Sequence, residues 1–173
     1  WEVLDQGVLS LLAVVRREEF VPPAYRALAF IDTEVPLTEG QCMLAPRVEA
    51  RLLQELKLAR HEHVLEIGAG SGYMAALLAH QADRVTTLEI RPTLAAMARA
   101  NLQRAGIGNA QVVEADGAKG HAAQAPFDAI VLSGSVADVP AAVLAQLRVG
   151  GRLVAIVGQE PVMRAVHIGR VAY

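Results

Sequence analysis

The residues best suited to chemistry form a glycine-rich loop with acidic residues around it. The segment Val64-Leu65-Glu66-Ile67-Gly68-Ala69-Gly70-Ser71-Gly72-Tyr73 joins an apolar run that predicts a strand to a stretch that predicts a helix. Glycine tolerates positive φ and lets a ligand approach the backbone closely. In open parallel α/β sheets, ligands bind beyond the carboxyl ends of the strands. We therefore expect a ligand-binding loop formed by Gly68, Ala69, Gly70, Ser71 and Gly72.

The loop does not match the common phosphate-binding patterns. A dinucleotide fingerprint has Gly or Ala at its sixth position, which is Tyr73 here, and no Lys-Ser or Lys-Thr pair follows as in a triphosphate loop. Glu66 precedes Gly68 by two residues. A carboxylate there repels a pyrophosphate but suits a ligand with ammonium and sulfonium charges. We expect Gly72 to let the following helix pack near the strand.

Acidic residues also stand at the ends of the next two predicted strands. Glu89 ends Thr87-Leu88-Glu89-Ile90, about 20 residues beyond the loop, where an acid accepts hydrogen bonds from ribose hydroxyls. Asp116, in Glu114-Ala115-Asp116-Gly117, is placed to face an adenine edge. The alternatives are that Glu66 caps a helix and that Asp116 only forms a turn with Gly117. Together the acids at these strand ends are more specific than the glycines alone.

The apolar pattern predicts how these residues are positioned. Short apolar runs predict strands at Val64–Ile67, Val85–Ile90, Ala110–Ala115, Ala129–Leu132 and Leu153–Val157, and helical stretches between most of them are Ser71–Gln81, Pro92–Ala105 and Val139–Leu147. This alternation predicts an α/β fold with a doubly wound, mostly parallel sheet covered on both faces.

The predicted organisation is a single domain over residues 1–173. Residues 1–60 form a helical N-terminal extension and lid, with helices expected at 2–15, about 23–29 and 46–57. Residues 61–158 form the ligand-binding core. Residues 159–173 form a C-terminal strand region, which we expect to be incomplete because a strand without a further partner leaves an exposed edge.

Composition excludes several classes of protein. Apolar residues make up 53% of the 173 residues and charged residues 20%, which excludes a disordered chain. A net charge of −2 argues against nucleic acid as a partner. The single cysteine, Cys42, excludes an internal disulfide and a cysteine zinc site, and the histidine spacing suggests no metal. Without a signal peptide or membrane-spanning stretch we expect a cytoplasmic protein. The sequence does not indicate an oligomeric state.

The chain from Val64 to Val157 resembles class I S-adenosylmethionine-dependent methyltransferases. The later segment Leu147-Arg148-Val149-Gly150-Gly151-Arg152-Leu153 is similar to their L-x-x-G-G-x-L turn into the fifth strand. The resemblance implies a Rossmann-like fold, S-adenosyl-L-methionine as cofactor and S-adenosyl-L-homocysteine as product. The alternative is a flavodoxin-like sheet with a tight glycine turn and surface acids.

Further motifs resemble one family within this class, the protein-L-isoaspartate O-methyltransferases. They are Arg17–Pro22, Ala29–Asp32, Pro36-Leu37, Gly40–Pro46, Asp116-Gly117 and Ala125–Ile130, and the likeness runs from about Leu4 to Met163. It implies methylation of the carboxyl group of isoaspartyl residues in damaged proteins or peptides, giving an ester that collapses to succinimide. The cofactor-binding residues it implies are Met43, Leu44, Glu66, Gly68, Ala69, Gly70, Ser71, Gly72, Glu89, Ile90, Asp116 and Gly117.

This chain departs from the family at its catalytic serine. The family reads Gly-Gln-Thr-Ile-Ser-Ala/Gln-Pro where this chain reads Gly-Gln-Cys-Met-Leu-Ala-Pro, so Leu44 replaces the serine and Cys42 the threonine. A leucine side chain cannot hydrogen-bond an acceptor carboxylate, and we assign no catalytic residue. A carboxylate is already ionised at neutral pH and needs no general base. Three hypotheses remain: an isoaspartyl methyltransferase, a methyltransferase with another acceptor, and a non-catalytic cofactor-binding protein.

Two other residue types near the predicted site have a functional and a structural interpretation. Ser133 and Ser135 follow the fourth strand of the core and either supply a hydroxyl to the substrate or belong to a solvated turn, which the sequence favours. Cys42 is interpreted as a small buried hydrophobic residue rather than a nucleophile, because no histidine is placed to activate it.

Overall fold

The computed structural model describes residues 2–159 and 162–172. Its main sheet is built from strands β3 (His63–Ile67), β4 (Arg84–Glu89), β5 (Ala110–Glu114), β6 (Phe127–Val136), β7 (Leu147–Gln159) and β8 (Val162–Gly169). A small antiparallel pair, β1 (Val35–Pro36) and β2 (Cys42–Met43), precedes it. The helices are α1 (Gln6–Val14), α2 (Pro46–Leu56), α3 (Tyr73–Gln81), α4 (Pro92–Arg104) and α5 (Ala141–Leu144).

The order of the strands in the main sheet is β5-β4-β3-β6-β7-β8. All neighbouring pairs are parallel except β7 and β8. The chain moves outward from β3 to β5 and then returns to lay β6 on the other side of β3. The crevice beyond the ends of β3 and β6 is therefore the topological switch point, where ligands of such sheets bind. The predicted doubly wound, Rossmann-like sheet is confirmed.

Alternate residues of the buried strands enter separate cores on the two faces of the sheet. Val64, Ala129 and Val131 pack with α1, α2, α3 and α4 on one face. Leu65, Ile130 and Leu132 pack on the other face, where α5 contributes Val143 and Leu144. The two faces are covered unequally, since most of the helical surface lies on the first.

The predicted helix Val139–Leu147 is wrong in extent. The helix spans only Ala141–Leu144, and Leu147 already belongs to β7. Pro140 cannot donate a backbone hydrogen bond, and it lies directly before the helix as its N-cap residue rather than inside it. Leu147 pairs with Phe127 of β6, and this tertiary pairing overrides the helical pattern.

The three helices expected within residues 1–60 are present and are shorter than predicted, and only the first begins later. α1 begins at Gln6 because the side chain of Asp5 caps it by accepting from the N–H of Val8 at 2.9 Å. α2 begins at Pro46 and ends at Leu56. The expected helix near residue 23 is a 3₁₀ helix, Pro23–Leu28.

The strand expected in the C-terminal region, residues 159–173, is present as β8. It pairs antiparallel with β7 from Val162↔Gln159 to Gly169↔Arg152. Residues 160, 161 and 173 lie outside the described part of the chain. Within the described residues, 2–159 and 162–172, no helix has the length and apolar character needed to cross a membrane. The division of the chain into extension, core and C-terminal region stays a prediction.

Candidate functional site

The glycine loop follows β3 and turns sharply into α3. Gly68, Gly70 and Gly72 have φ values of +95°, +53° and +87°, which other residues rarely adopt. The N–H groups of Gly68 and Ala69 both donate to the carbonyl of Leu88 in β4, at 2.9 and 3.1 Å. The loop is thereby held against the end of the neighbouring strand.

Gly72 has a different packing role from the one predicted. A Cβ atom built on Gly72 would lie 3.2 Å from the carbonyl oxygen of Ala98 and 3.3 Å from Cγ of Leu102, both in α4. The absence of a side chain at Gly72 therefore allows α4 to approach the start of α3, which is a different contact from the one predicted with the strand. The sequence could not reveal this contact, because α4 begins 20 residues later.

Glu89 joins the glycine loop to the start of α4. One carboxylate oxygen accepts from the N–H of Gly70 and the other from the N–H of Arg91, each at 3.1 Å. The side chain is buried but lines two cavities. Its position at the end of β4 is the one predicted.

Glu66 lies beneath the loop with no exposed surface. Its Oε1 accepts a hydrogen bond of 2.6 Å from the hydroxyl of Thr87, and its Oε2 accepts one of 2.5 Å from the hydroxyl of Ser133. Burial raises the pKa of Glu66 to about 8, while these two hydrogen bonds act in the opposite direction. Glu66 does not cap a helix, so that alternative is wrong.

Two adjoining cavities lie at the carboxyl ends of the strands. The larger, of about 300 Å³, lies between the glycine loop, the segment after β1 and the end of β6. The smaller, of about 170 Å³, lies between the ends of β3, β4 and β5. Gln41, Gly68 and Glu89 line both cavities, which places one continuous groove across the switch point.

The structure brings most of the predicted site residues to this groove. Leu44, Gly68, Gly70 and Glu89 line the larger cavity, and Gly68, Glu89, Ile90, Asp116 and Gly117 line the smaller one. Asp116 also accepts from the N–H of Ala118 at 3.0 Å, so it makes the turn that the alternative interpretation proposed while facing the cavity.

Five predicted residues do not line either cavity: Met43, Glu66, Ala69, Ser71 and Gly72. Met43 and Ala69 are buried in the core. The carbonyl of Ser71 accepts a hydrogen bond of 2.8 Å from the side chain of Asn101 in α4. All of these residues are buried behind the residues that line the cavities.

A buried ion pair that sequence reasoning missed holds the main chain at Leu44. Arg17 binds the carboxylate of Glu49 in α2 and donates a hydrogen bond of 3.0 Å to the carbonyl of Leu44. Its guanidinium also lies 4.8 Å from the ring centre of Tyr73, the first residue of α3. Burial raises the pKa of Glu49 to about 7, against the lowering effect of Arg17. Arg17 therefore connects the wall at Leu44 with the helix that follows the glycine loop.

The structure contradicts the interpretations made from sequence for two residues in the cavity wall opposite the glycine loop. Cys42 is exposed rather than buried, and it lines the larger cavity. Partial burial and the nearby Glu34 raise the pKa of its thiol to about 11, so it is not a thiolate at neutral pH. Ser133 belongs to β6 and bonds Glu66, so it is not part of a solvated turn.

The charges around the larger cavity favour a cationic ligand. Glu34 and Glu89 line it, and its described wall residues include no lysine or arginine. The buried carboxylate of Glu66 accepts a hydrogen bond from Ser133, which lines the cavity. Within residues 2–159 and 162–172 no cluster of histidine, cysteine and acidic side chains could hold a metal ion.

Comparison with known proteins identifies the family to which this groove belongs. The sequence model of the family described as protein-L-isoaspartate(D-aspartate) O-methyltransferase matches residues 2–171. The chain belongs to this family. Its resemblance to the family, predicted from motifs before and after the glycine loop, is confirmed.

Curated members of the protein-L-isoaspartate O-methyltransferase family are similar over most of the chain. The protein from Koribacter versatilis is 41% identical over 168 residues, covering 97% of this chain and 75% of the relative. The protein from Methanoculleus marisnigri is 42% identical over 154 residues, covering 89% of this chain and 70% of the relative. The chain thus spans about three quarters of the length of these relatives.

Solved structures of the family share the fold. One protein-L-isoaspartate O-methyltransferase matches with a TM-score of 0.86 and 25% identity, over 96% of this chain and 56% of that one. A protein from Plasmodium falciparum, assigned as a beta-aspartate methyltransferase, matches with a TM-score of 0.80 and 21% identity, over 96% of this chain and 83% of that one. The second was solved in complex with S-adenosyl-L-homocysteine.

Proposed function

We propose that this chain is an S-adenosyl-L-methionine-dependent methyltransferase that esterifies the carboxyl group of isoaspartyl residues in proteins or peptides. The observation that carries the proposal is the match of residues 2–171 to the family, together with an acidic groove at the switch point of the sheet.

The groove suits the proposed cofactor in chemistry and shape. Its smaller part is lined by Glu89, Ile90 and Asp116, which offers carboxylates to ribose hydroxyls and an apolar side chain to an adenine. Its larger part has acidic walls that favour ammonium and sulfonium charges. Gly68 and Gly70 leave the loop without side chains where the ligand would approach the backbone. The cofactor supplies an activated methyl group at the larger cavity.

The protein's contribution to methyl transfer is to position the two reactants. An acceptor carboxylate is ionised at neutral pH, so no residue has to remove a proton from it. Holding two reactants in line is worth up to roughly 7–11 kcal/mol of the barrier. Leu44 and Leu94 give the larger cavity apolar walls, and Arg17 holds the main chain at Leu44 in place. The site therefore does not depend on a general base.

Leu44 keeps two other functions open. An apolar side chain at the position of the family's serine changes which acceptor group is favoured, so a methyltransferase with a different acceptor is the second candidate. A cofactor-binding protein without turnover is the third. Acceptor specificity distinguishes the second candidate from the first. Cofactor binding without methyl transfer distinguishes the third.

The test is transfer of labelled methyl from S-adenosyl-L-methionine to an isoaspartyl peptide, with the aspartyl peptide of identical sequence as control. The proposal predicts a base-labile methyl ester on the isoaspartyl peptide alone. Equal labelling of both peptides would support another acceptor. Cofactor binding without any labelling would contradict the enzymatic function.

A further inference from the structure

Ser133 is the link between a buried carboxylate and the larger cavity. Its hydroxyl donates a hydrogen bond of 2.5 Å to Oε2 of Glu66, and the residue also forms part of the cavity wall. The other oxygen of Glu66 accepts from Thr87, which has no exposed surface. Of these two hydroxyl groups, only that of Ser133 belongs to a residue of the cavity wall.

A bulge in β6 places Ser133 at this point. β6 pairs regularly with β7 from Ala129↔Arg152 to Val131↔Val154, and the pairing resumes only at Ser135↔Ile156. Residues 132–134 of β6 therefore lie opposite Ala155 alone. β-bulges re-aim side chains and are frequent beside functional sites. β3 ends at Ile67, which pairs with Leu132, so Ser133 extends just past the end of β3 and reaches the carboxylate.

The charged groups that face Glu66 make its ionised form costly. Glu49 from α2 and Glu89 from β4 both raise its pKa further through like-charge repulsion. Arg17 is bound to Glu49 and reduces the repulsion between Glu49 and Glu66. Thr87 and Ser133 are the hydrogen-bond donors that favour the carboxylate. A cationic ligand needs that carboxylate ionised, so each donor contributes to binding.

We propose that Ser133 is a positioning residue for the cofactor: its hydroxyl donates from the cavity wall to the buried carboxylate of Glu66 and stabilises the ionised form, whose negative charge favours a cationic amino group in the cavity. This inference rests on the proposed function, because it assigns to the cavity a ligand that carries an amino group. It assigns to Ser133 no contact with the acceptor.

The test is binding of S-adenosyl-L-homocysteine, which needs no turnover and is measured by calorimetry between pH 6 and 9.5. Loss of one donor to a carboxylate disfavours its ionised form. Ser133→Ala is expected to weaken binding about tenfold at pH 7, which corresponds to a rise of about one unit in the pH at which binding reaches half its full strength. Ser133→Thr keeps the hydroxyl and is expected to keep the original pH profile.

Two further variants establish what the profile measures. Glu66→Gln removes the titrating group, and its binding is expected to lose the dependence on pH in this range. Ser135 lines the same cavity but does not bond Glu66 in the structure. Ser135→Ala is therefore expected to keep the pH midpoint.

The outcomes separate this inference from the proposed function. If the unaltered protein binds no S-adenosyl-L-homocysteine, both are overturned. If it binds, and Ser133→Ala has the same affinity and pH midpoint, only the role of Ser133 is overturned. A shift of equal size in Ser133→Thr would overturn it as well, since the hydroxyl would then not be the cause.

Discussion

The carboxylate of Glu89 accepts a hydrogen bond of 3.1 Å from the backbone N–H of Gly70, the middle glycine of the loop. Its second oxygen accepts from the N–H of Arg91, immediately before α4. One side chain thus sets the distance between the glycine loop and the next strand-to-helix turn. Because Glu89 also lines both cavities, this bond couples the shape of the loop to the groove that we assign to the cofactor.

Replacing Glu89 by glutamine is expected to weaken binding of S-adenosyl-L-homocysteine by about tenfold or more. The amide has one acceptor oxygen where two N–H groups need acceptors, and hydrogen bonds to charged groups contribute about 1.5–3 kcal/mol. Calorimetric titration gives the dissociation constant. Glu114→Gln is the matched control, because Glu114 is opposite Glu89 in β5 but is exposed and bonds Arg99. Equal losses in the two variants would contradict the assignment.

Gly72→Ala is expected to lower the free energy of unfolding by about 2 kcal/mol or more. A left-handed conformation costs a non-glycine residue roughly 1–2 kcal/mol, and the added methyl would also lie 3.2 Å from the carbonyl oxygen of Ala98. Urea unfolding measures the change. Gly106 has a φ of +73° and no atom within 4 Å of a built Cβ, so Gly106→Ala isolates the conformational cost alone. If both variants lose the same free energy, Gly72 is not needed for packing between α3 and α4.

The stability that Glu66 contributes is expected to decline as the pH rises. Its pKa is about 8 in the folded protein and 4.5 as the unperturbed value, so the folded state binds more protons between these pH values. The free energy of unfolding attributable to Glu66 is therefore largest below about pH 4.5 and falls through pH 8, by at most about 1.4 kcal/mol per pH unit. Urea unfolding of the unaltered protein and Glu66→Gln at several pH values measures the difference. A difference between the two that stays constant with pH would show that Glu66 is ionised throughout.

Local sequence patterns were sufficient to predict the sheet and the position of the groove. Glycines with required positive φ and acids at strand ends are encoded within short segments, and Gly68, Gly70, Glu89 and Asp116 all lie at the groove. Continuous apolar runs identified the buried strands for the same reason, because a strand covered on both faces needs apolar residues at every position.

Contacts between distant segments could not be predicted in this way. Arg17 and Glu49 are 32 residues apart, and nothing in either segment indicates that they meet in the core. The helix expected from Val139 to Leu147 ends early, because pairing of Leu147 with Phe127 decides the conformation there. Ser133 looks like a turn residue in sequence, and only the bulge in β6 reveals its bond to Glu66.

The most direct test of the whole account is the kcat/KM for methyl transfer to an isoaspartyl peptide, measured for the unaltered protein and for Leu44→Ser in parallel. Because positioning rather than a hydroxyl at residue 44 carries the reaction in this account, the unaltered protein is expected to label the isoaspartyl peptide and leave its aspartyl twin at background. Leu44→Ser is expected to raise kcat/KM by up to about 10²-fold, the value of one added donor at the reacting group. Absence of labelling by both proteins, with S-adenosyl-L-methionine bound, would contradict the assignment of isoaspartyl carboxylates as the acceptor.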